Sequence, residues 1–257
     1  WWANDHRYYK HRYNVQTVRL QVIRDINIAF KYFEKGYIDT FPLILPDHWI
    51  NKTKSAVFER GLTQKLTFFT NTHQPMSAMY MNQAKPLFRD KNVRLGLAHS
   101  INYDKGIHGI RNGEYARLPS LFTGYGDYSN KNLSARPFDL ALAKEYFAKA
   151  GFKKRNGQGI LENDNGEPLS FKLLYTAEIH TPRLLILKEE AKKAGVDMVL
   201  QRMDGSTMFK SVLEKQHDVG WLGFGGGFRP QFWGSWHSDN ANKPQTNNIT
   251  NTANPKL

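Results

Sequence analysis

The clearest pattern lies toward the end of the chain, where short apolar runs alternate with amphipathic segments. The runs at 169–176, 196–202 and 218–224 have the length and composition of buried strands. The segments between them, 181–195 and 206–216, repeat apolar residues at helical spacing. A β-α-β-α-β order requires parallel pairing with right-handed crossovers, so the three runs are predicted to be parallel neighbours in one sheet.

Capping residues stand in front of other apolar stripes. Asp25, Asp90 and Asp104 each lie where a side-chain oxygen can accept the free N–H groups of a first helical turn. A further helix is predicted from Asp139, with Gly151 as its C-cap. The two helices predicted behind Asp90 and Asp104 form a broken pair without any catalytic signature. Two capped helices at an angle can clasp the edge of a sheet, which is a structural role.

The rest of the chain is predicted from alternation and turn residues. Period-two alternation indicates strands, and paired turn signals between apolar residues indicate a hairpin. Stretches rich in Gly, Pro, Ser and Asn indicate loops. The resulting predictions are strands at 14–23, 62–70 and 76–82, a helical stretch at 52–60, a hairpin over 155–170, and surface loops at 114–136 and 238–255.

Composition narrows the class of protein. The chain has 257 residues, of which 40% are apolar and 13% aromatic, so it has the material for a sizeable core. It has no cysteine, which excludes a disulfide framework, Cys-ligated zinc and thiol catalysis. No apolar run reaches the roughly 18 residues of a membrane span.

The formal net charge of +13 raises the possibility of a nucleic-acid partner. One dense basic cluster, at residues 6–13, has tyrosines between its cations, as a single-strand-binding surface would. The other basic residues are spread along most of the chain, however, which does not produce a binding face. The sequence therefore predicts no nucleic-acid partner.

Catalytic and metal-binding motifs are absent from the sequence. The glycines at 223–227 do not make a dinucleotide-binding motif, because position 228 is Phe and no helix is indicated after it. The phosphate-loop, HExxH and GxSxG motifs do not occur, and no two of the nine histidines have metal-ligand spacing on a helix. Ser235, His237 and Asp239 alternate along one segment and do not predict a triad. We therefore expect no enzyme, no cofactor and no catalytic metal.

The carboxyl ends of the predicted parallel strands indicate where a ligand binds, because open α/β sheets bind ligands beyond those ends. The run at 218–224 is followed by Gly225, Gly226 and Gly227, which let a ligand approach the backbone closely. Strand alternation places Trp221 and Phe224 on opposite faces, so both rings cannot line one cleft by strand geometry alone.

Residues 86–116, PLFRDKNVRLGLAHSINYDKGIHGIRNGEYA, resemble the central motif of the family 5 extracellular solute-binding proteins, the periplasmic dipeptide, oligopeptide and nickel binders of ABC importers. The matching positions are Asn82, Pro86, Phe88, Asp90, Val93, Arg94, Ile101, Asn102, Asp104 and Ile107. The chain departs from the motif at Gly96 and His99–Ser100, in a stretch usually rich in Ala, and at Asn102, where Asp is usual.

Four other segments are similar to motifs of this family in the same order: 26–40, 139–152, 217–233 and 247–257. The opening residues look closest to the branch that handles oligopeptides and peptide-like microcins. The resemblance implies an α/β fold of the type II periplasmic-binding-protein class, with a mixed sheet flanked by helices. Family members are about twice as long, so the chain is expected to be a fragment, with 1–45 a trailing piece of the large lobe and 46–257 the second lobe.

The resemblance also implies a function. The expected protein is periplasmic and monomeric, captures peptides or peptide-like solutes, and passes them to an ABC permease in the inner membrane. A periplasmic peptide chaperone or sensor on the same fold is the first alternative, and a nucleic-acid-binding module ranks below it. The predicted ligand-binding residues are Asn82, near the hinge, and Tyr175, Trp221, Phe224, Gly225, Gly226, Gly227, Phe228 and Arg229.

Two of these positions concern the ends of a peptide. Arg229 is expected to meet a carboxylate through charge-assisted hydrogen bonds. Peptide binders of the family often carry an acidic residue for the free amine where this chain has Gly227, so simple anchoring of an amine is not expected.

Overall fold

The chain folds into two compact units, Trp1–Lys65 and Leu66–Leu257. The computed structural model describes residues 5–7, 10, 15–68, 76–111 (backbone only at 110 and 111), 115–225, 227 and 229–254. Residues 46–65 belong to the first unit. The assignment of 1–45 and 46–257 to two lobes stays a prediction.

The first unit is organised around Phe30, whose side chain is 2% exposed. Its ring lies 5.4 Å from the ring of Phe41 and 4.9 Å from that of His48. Asp25 caps the first helix as predicted, accepting hydrogen bonds from the backbone N–H groups of Asn27 and Ile28 at 2.8 and 2.9 Å. The helices of this unit are α1 (Ile26–Glu34), α2 (Pro46–Ile50) and α3 (Ala56–Glu59), with a 3₁₀ turn at Lys52–Lys54.

Two predicted strands are wrong. Residues 15–23 and 62–68 form no ladder with any described residue, and position 14 and positions 69–70 lie outside the described residues. The apolar side chains of Val18, Leu20 and Val22 alternate with polar ones, but they are 71 to 89% exposed and so do not contribute to an apolar core. A strand is stabilised by a neighbour that takes up its backbone N–H and C=O groups, and alternation alone does not provide one.

The second unit contains a four-stranded mixed sheet, whose strands in spatial order are β1 (Met76–Met81), β6 (Val219–Phe224), β4 (Ser170–Tyr175) and β5 (Asp197–Arg202). β4 pairs in parallel with both β5 and β6, which confirms the predicted parallel neighbours, and β1 pairs antiparallel with β6. The predicted hairpin is also present as β2 and β3. In chain order the elements are β1 (Met76–Met81), α4 (Pro86–Arg89), α5 (Lys91–Ser100), α6 (Tyr103–Arg111), α7 (Leu140–Lys149), β2 (Lys154–Arg155), β3 (Leu161–Glu162), β4 (Ser170–Tyr175), α8 (Thr181–Lys193), β5 (Asp197–Arg202), α9 (Gly205–Leu213), β6 (Val219–Phe224) and α10 (Trp233–Trp236).

Each face of this sheet carries its own apolar cluster. Leu173 packs into the larger cluster with residues of α5, α7 and α8, and the next residue, Leu174, packs into the smaller cluster with Met208 and Val212 of α9. Successive residues of a strand point to opposite faces, so a strand covered by helices on both sides reads as a continuous apolar run. This double coverage explains why 169–176 was recognisable from its sequence.

The helix caps follow the sequence with one exception. Asp90 caps α5 as predicted, and the structure shows that Asp139 caps α7 by accepting the N–H of Leu142. Asp104 does not cap α6, because the helix begins one residue earlier and Asn102 accepts the N–H of Lys105 at 3.0 Å. Asn is as good an N-cap as Asp, so Asn102 preserves the start of the helix although the family motif usually has Asp at this position.

The Asn-rich stretch predicted as a surface loop is one only in part, because 242–245 and 247 are exposed whereas 248–251 are buried. Asn248 is fully buried, and Thr250 and Asn251 are 9% and 3% exposed. The half-buried ammonium group of Lys215 donates to the backbone carbonyls of Thr246 and Asn248 at 2.8 and 2.9 Å. Polar side chains can lie inside a fold when their polar atoms are hydrogen-bonded. Asparagine content therefore did not indicate exposure here.

Close packing of two helices explains the glycine at position 96. α5 crosses α7 where Gly96 faces Phe147, and a methyl group at Gly96 would lie 2.6 Å from Cδ1 of that ring. We expect Gly96→Ala to lower the free energy of unfolding by about 1 to 2 kcal/mol, because overpacking outweighs the gain in helix propensity. Urea denaturation measures this.

The matched control is Gly109→Ala in α6, where the one described side chain that an added methyl group meets is Ile186, at 3.8 Å. This change is expected to raise stability by up to about 1 kcal/mol, since helix propensity then acts alone. Equal effects at the two glycines would contradict the packing explanation.

Burial of His217 makes the second unit sensitive to acid. The side chain is 2% exposed, and burial, with a smaller contribution from the charge of Lys215, lowers the pKa of its imidazole to about 4. In the unfolded chain a histidine takes up its proton near its ordinary pKa of about 6.5. The contribution of neutral His217 to the free energy of unfolding is therefore fully present above about pH 6.5 and is lost progressively as the pH falls toward 4. We expect this group to account for a loss of about 2 to 3 kcal/mol over that interval.

Denaturant titrations at pH 7, 5.5 and 4 measure the loss, and His217→Gln should flatten the dependence on pH. His108→Gln, on the exposed side of α6, is the matched control. An unchanged profile in His217→Gln would assign the acid sensitivity to other groups.

Candidate ligand-binding site

A cavity of about 150 Å³ lies where β6 ends and β1 begins. Met76 and Phe224 pair across the two strands at this point, and both line the cavity. Gly225 and Gly227 form part of its wall directly after the strand. The cavity is therefore at the carboxyl end of a parallel strand, as expected for an open α/β sheet.

Aromatic rings dominate the wall of the cavity. Phe224 meets Tyr80 of β1 edge-on, with ring centroids 5.0 Å apart. Phe122 and Tyr125 contribute from the loop before α7, and Trp236 contributes from α10. Rings at this spacing attract a further ring in edge-to-face or offset geometry.

The polar part of the wall is neutral. Gln231, Ser235, Asn247 and Thr250 line the cavity, and no lining residue that the structure describes carries a formal charge. This neutrality contrasts with the net charge of +13 of the whole chain. The site therefore favours an uncharged group over an ion.

Tyr80 is the one lining residue with an unexplained polar atom among those described. Its side chain is 6% exposed, and its hydroxyl group has no hydrogen-bond partner among the described residues. Burial raises the pKa of this hydroxyl, so it stays protonated and is able to donate. A buried hydroxyl without a partner costs free energy that a ligand can recover.

The structure brings together three of the predicted site residues, Phe224, Gly225 and Gly227. A side-chain atom built on Gly225 would meet no atom of another described residue within 4 Å, so no described side chain covers its backbone. Arg229 is exposed and does not line the cavity. Gly226 and Phe228 lie outside the described residues.

Tyr175 and Trp221 lie on the other face of the sheet. Trp221 is 8% exposed and packs in the larger apolar cluster, with the guanidinium group of Arg183 4.7 Å from its ring. The hydroxyl group of Tyr175 is 2.9 Å from that of Thr181. Phe224 belongs to the cavity and Trp221 does not, which is the separation that strand alternation predicts. A ligand contact by Tyr175 or Trp221 stays a prediction.

Asn82 is fully buried and its side chain is saturated with hydrogen bonds. Its Nδ2 donates to the carbonyls of Lys215 and His217, both at 2.9 Å. Its Oδ1 accepts from the N–H of Ala84 at 3.0 Å and from Nδ2 of Asn251 at 2.6 Å. Every donor and acceptor of the amide is in use, which favours an anchoring role, and a ligand contact by Asn82 stays a prediction.

Sequence patterns did not identify the residues that loops supply. Leu121, Phe122 and Tyr125 belong to the stretch predicted as a surface loop, and Asn247 and Ile249 belong to the Asn-rich tail. The only available signal was the aromatic content of the Gly- and Ser-rich stretch 114–136. Aromatic side chains in a loop often pack against another part of the protein, but the sequence does not show which part.

The described residues contain neither a cluster of metal ligands nor a helix that could cross a membrane. No three His, Cys, Asp or Glu side chains among them are placed to hold an ion. None of the helices in the described ranges combines the length and apolar character that a membrane crossing requires. Two of the alternating residues considered as a possible triad, His237 and Asp239, form a surface pair in which Nδ1 of His237 lies 3.6 Å from a carboxylate oxygen of Asp239.

Comparisons with known proteins extend this picture. The model of the family described as bacterial extracellular solute-binding proteins, family 5 middle, matches residues 2–245. The oligopeptide-binding protein AppA of Bacillus subtilis is 26% identical over 216 residues, which cover 82% of this chain and 37% of AppA. The chain thus spans well under half the length of this relative.

Solved structures show the same fold. The complex of Bacillus subtilis AppA with a nonapeptide superposes with a TM-score of 0.70 at 22% identity, covering 91% of this chain and 45% of that one. NikA from Brucella suis in complex with Fe(III)-EDTA gives a TM-score of 0.71 at 22% identity, with coverages of 92% and 47%.

The predicted fold class, a type II periplasmic-binding-protein lobe with a mixed sheet flanked by helices, is confirmed by these structures together with the strand order. The resemblance stated from the motifs is confirmed by a family match that covers most of the chain. The chain belongs to the bacterial extracellular solute-binding proteins of family 5.

Proposed function

We propose that this chain captures peptides or peptide-like solutes outside the cytoplasm and passes them to the permease of an ABC importer. The observation that carries the proposal is the neutral, aromatic cavity at the carboxyl end of β6, next to open glycine backbone. Membership of the solute-binding family supports it, as does the name of the relative AppA, an oligopeptide-binding protein.

Peptide capture uses backbone and side-chain contacts together. Gly225 and Gly227 follow β6 and are exposed, so their N–H and C=O groups can pair with the backbone of an extended peptide. A side chain of that peptide then enters the cavity beside Phe224. Backbone pairing supplies affinity for peptides in general, and the cavity supplies selectivity.

The lack of formal charge in the described lining of the cavity favours peptides over anionic solutes. NikA, a structural neighbour, is described in complex with Fe(III)-EDTA, an anionic chelate. An anion of that kind needs cationic groups around it, and the described lining of this cavity has none. Arg229, exposed near the cavity, is instead proposed to meet the carboxylate of a peptide.

The proposal includes the cellular setting. The protein acts in the periplasm as a monomer, performs no bond-breaking chemistry and uses no cofactor. The permease is its membrane partner, and a peptide or peptide-like molecule is its only ligand.

Truncation of Phe224 tests the site. The chain is incubated with a pool of synthetic pentapeptides, and native mass spectrometry identifies those retained. We expect Phe224→Ala to weaken binding of the retained peptides about tenfold or more, because a ring of the pocket is lost. Isothermal titration calorimetry with the best-retained peptide gives the affinity.

Phe209→Ala is the matched control, because this phenylalanine lies on α9, is 61% exposed and does not line the cavity. Its affinity should equal that of the wild type. Retention of no peptide at all would contradict peptide capture, and wild-type affinity in Phe224→Ala would place the site elsewhere.

A further inference from the structure

The cavity has the volume of a single aromatic ring. An apolar protein cavity of about 150 Å³ holds one benzene molecule, and this cavity measures about 150 Å³. Its walls present the rings of Phe122, Phe224 and Trp236. A flat ring makes more favourable contacts with such walls than an aliphatic side chain of the same volume.

The neutral lining excludes ionised side chains. A carboxylate or ammonium group that enters the cavity loses water and finds no opposite charge among the described lining residues. Ser235, Asn247 and Thr250 can hydrogen-bond a neutral polar group at the same place. The ligand group is therefore aromatic and uncharged.

The hydroxyl group of Tyr80 narrows the chemical class of the ligand group further. It is buried, it lacks a partner among the described residues, and Tyr80 itself lines the cavity. A hydroxyl both donates and accepts, and this one is closed to solvent, so a neutral hydroxyl or amide on the incoming ring satisfies it after a small side-chain movement that opens it to the cavity. A site with a buried polar group in need of a partner discriminates strongly against analogues that lack the matching group.

We propose that this cavity is a specificity pocket for one uncharged aromatic side chain with a hydrogen-bonding tip, as in tyrosine, and that Tyr80 recognises this tip. The inference rests on the proposed function, because the side chain belongs to the captured peptide. It adds a selectivity that neither the family nor the fold specifies.

Fragments of amino-acid side chains test the pocket without a peptide. Toluene and p-cresol represent the side chains of phenylalanine and tyrosine, and their binding to the full chain is followed by ¹H–¹⁵N NMR titration. Both should shift the resonances of Phe224 and Gly225. In Tyr80→Phe the affinity for p-cresol should fall about tenfold, the effect of one lost buried hydrogen bond, while that for toluene stays within about twofold.

Tyr128→Phe is the matched control, because this tyrosine is 56% exposed and does not line the cavity. It should leave both affinities unchanged. Thermal unfolding of Tyr80→Phe confirms that the variant is folded. If toluene and p-cresol bind nowhere near Phe224 in the wild type, or if Tyr80→Phe weakens both equally, the proposal is overturned.

Peptides provide the second arm. Alanine pentapeptides that carry Tyr, Phe or Glu at each position in turn are titrated by calorimetry. At one position the wild type should prefer Tyr to Phe about tenfold and bind the Glu peptide weakest, and Tyr80→Phe should remove the preference for Tyr. Equal binding of all three side chains at every position would overturn the pocket while leaving peptide capture intact. Binding of p-cresol without binding of any pentapeptide would support the ring pocket and contradict peptide capture.

Discussion

The buried amide of Asn82 holds together three segments that are far apart in the chain. It lies at the end of β1, receives Asn251 from the tail and donates to the carbonyls of Lys215 and His217 before β6. These bonds join residues 133 to 169 positions apart. Because a saturated buried amide is costly to separate from its partners, the tail stays on the sheet.

The cavity depends on that attachment. Asn247, Ile249 and Thr250 form one of its walls, and all three lie in the tail that Asn82 and Lys215 retain. Lys215 bonds to the backbone on both sides of Asn247. Asn82 therefore supports the wall of the cavity through its bond to the tail.

The two faces of β6 separate the aromatic residues into groups with different surroundings. Tyr80 and Phe224 meet at the cavity, whereas Trp221 packs under Arg183 on the face of α8. A single strand thus supplies one ring to the cavity and one to the core. Neighbouring aromatic residues in a sequence cannot be assigned to one site until the face of each is known.

The sequence by itself determined the features that depend on neighbouring residues. The order of β4, α8, β5, α9 and β6 was visible because doubly covered strands and amphipathic helices have short periods. The caps at Asp25 and Asp90 were visible because capping acts within one helical turn. The family motif was visible because its residues are close together in the sequence.

The tertiary structure decided everything that depends on distant partners. Whether 14–23 and 62–70 become strands depends on a neighbour that the described residues do not supply, so their alternation was insufficient. The burial of Asn248 depends on contacts with the sheet, and asparagine content misjudged it. The cavity forms where two loops, the tail and two strand ends meet, and no local pattern records which remote segments come together.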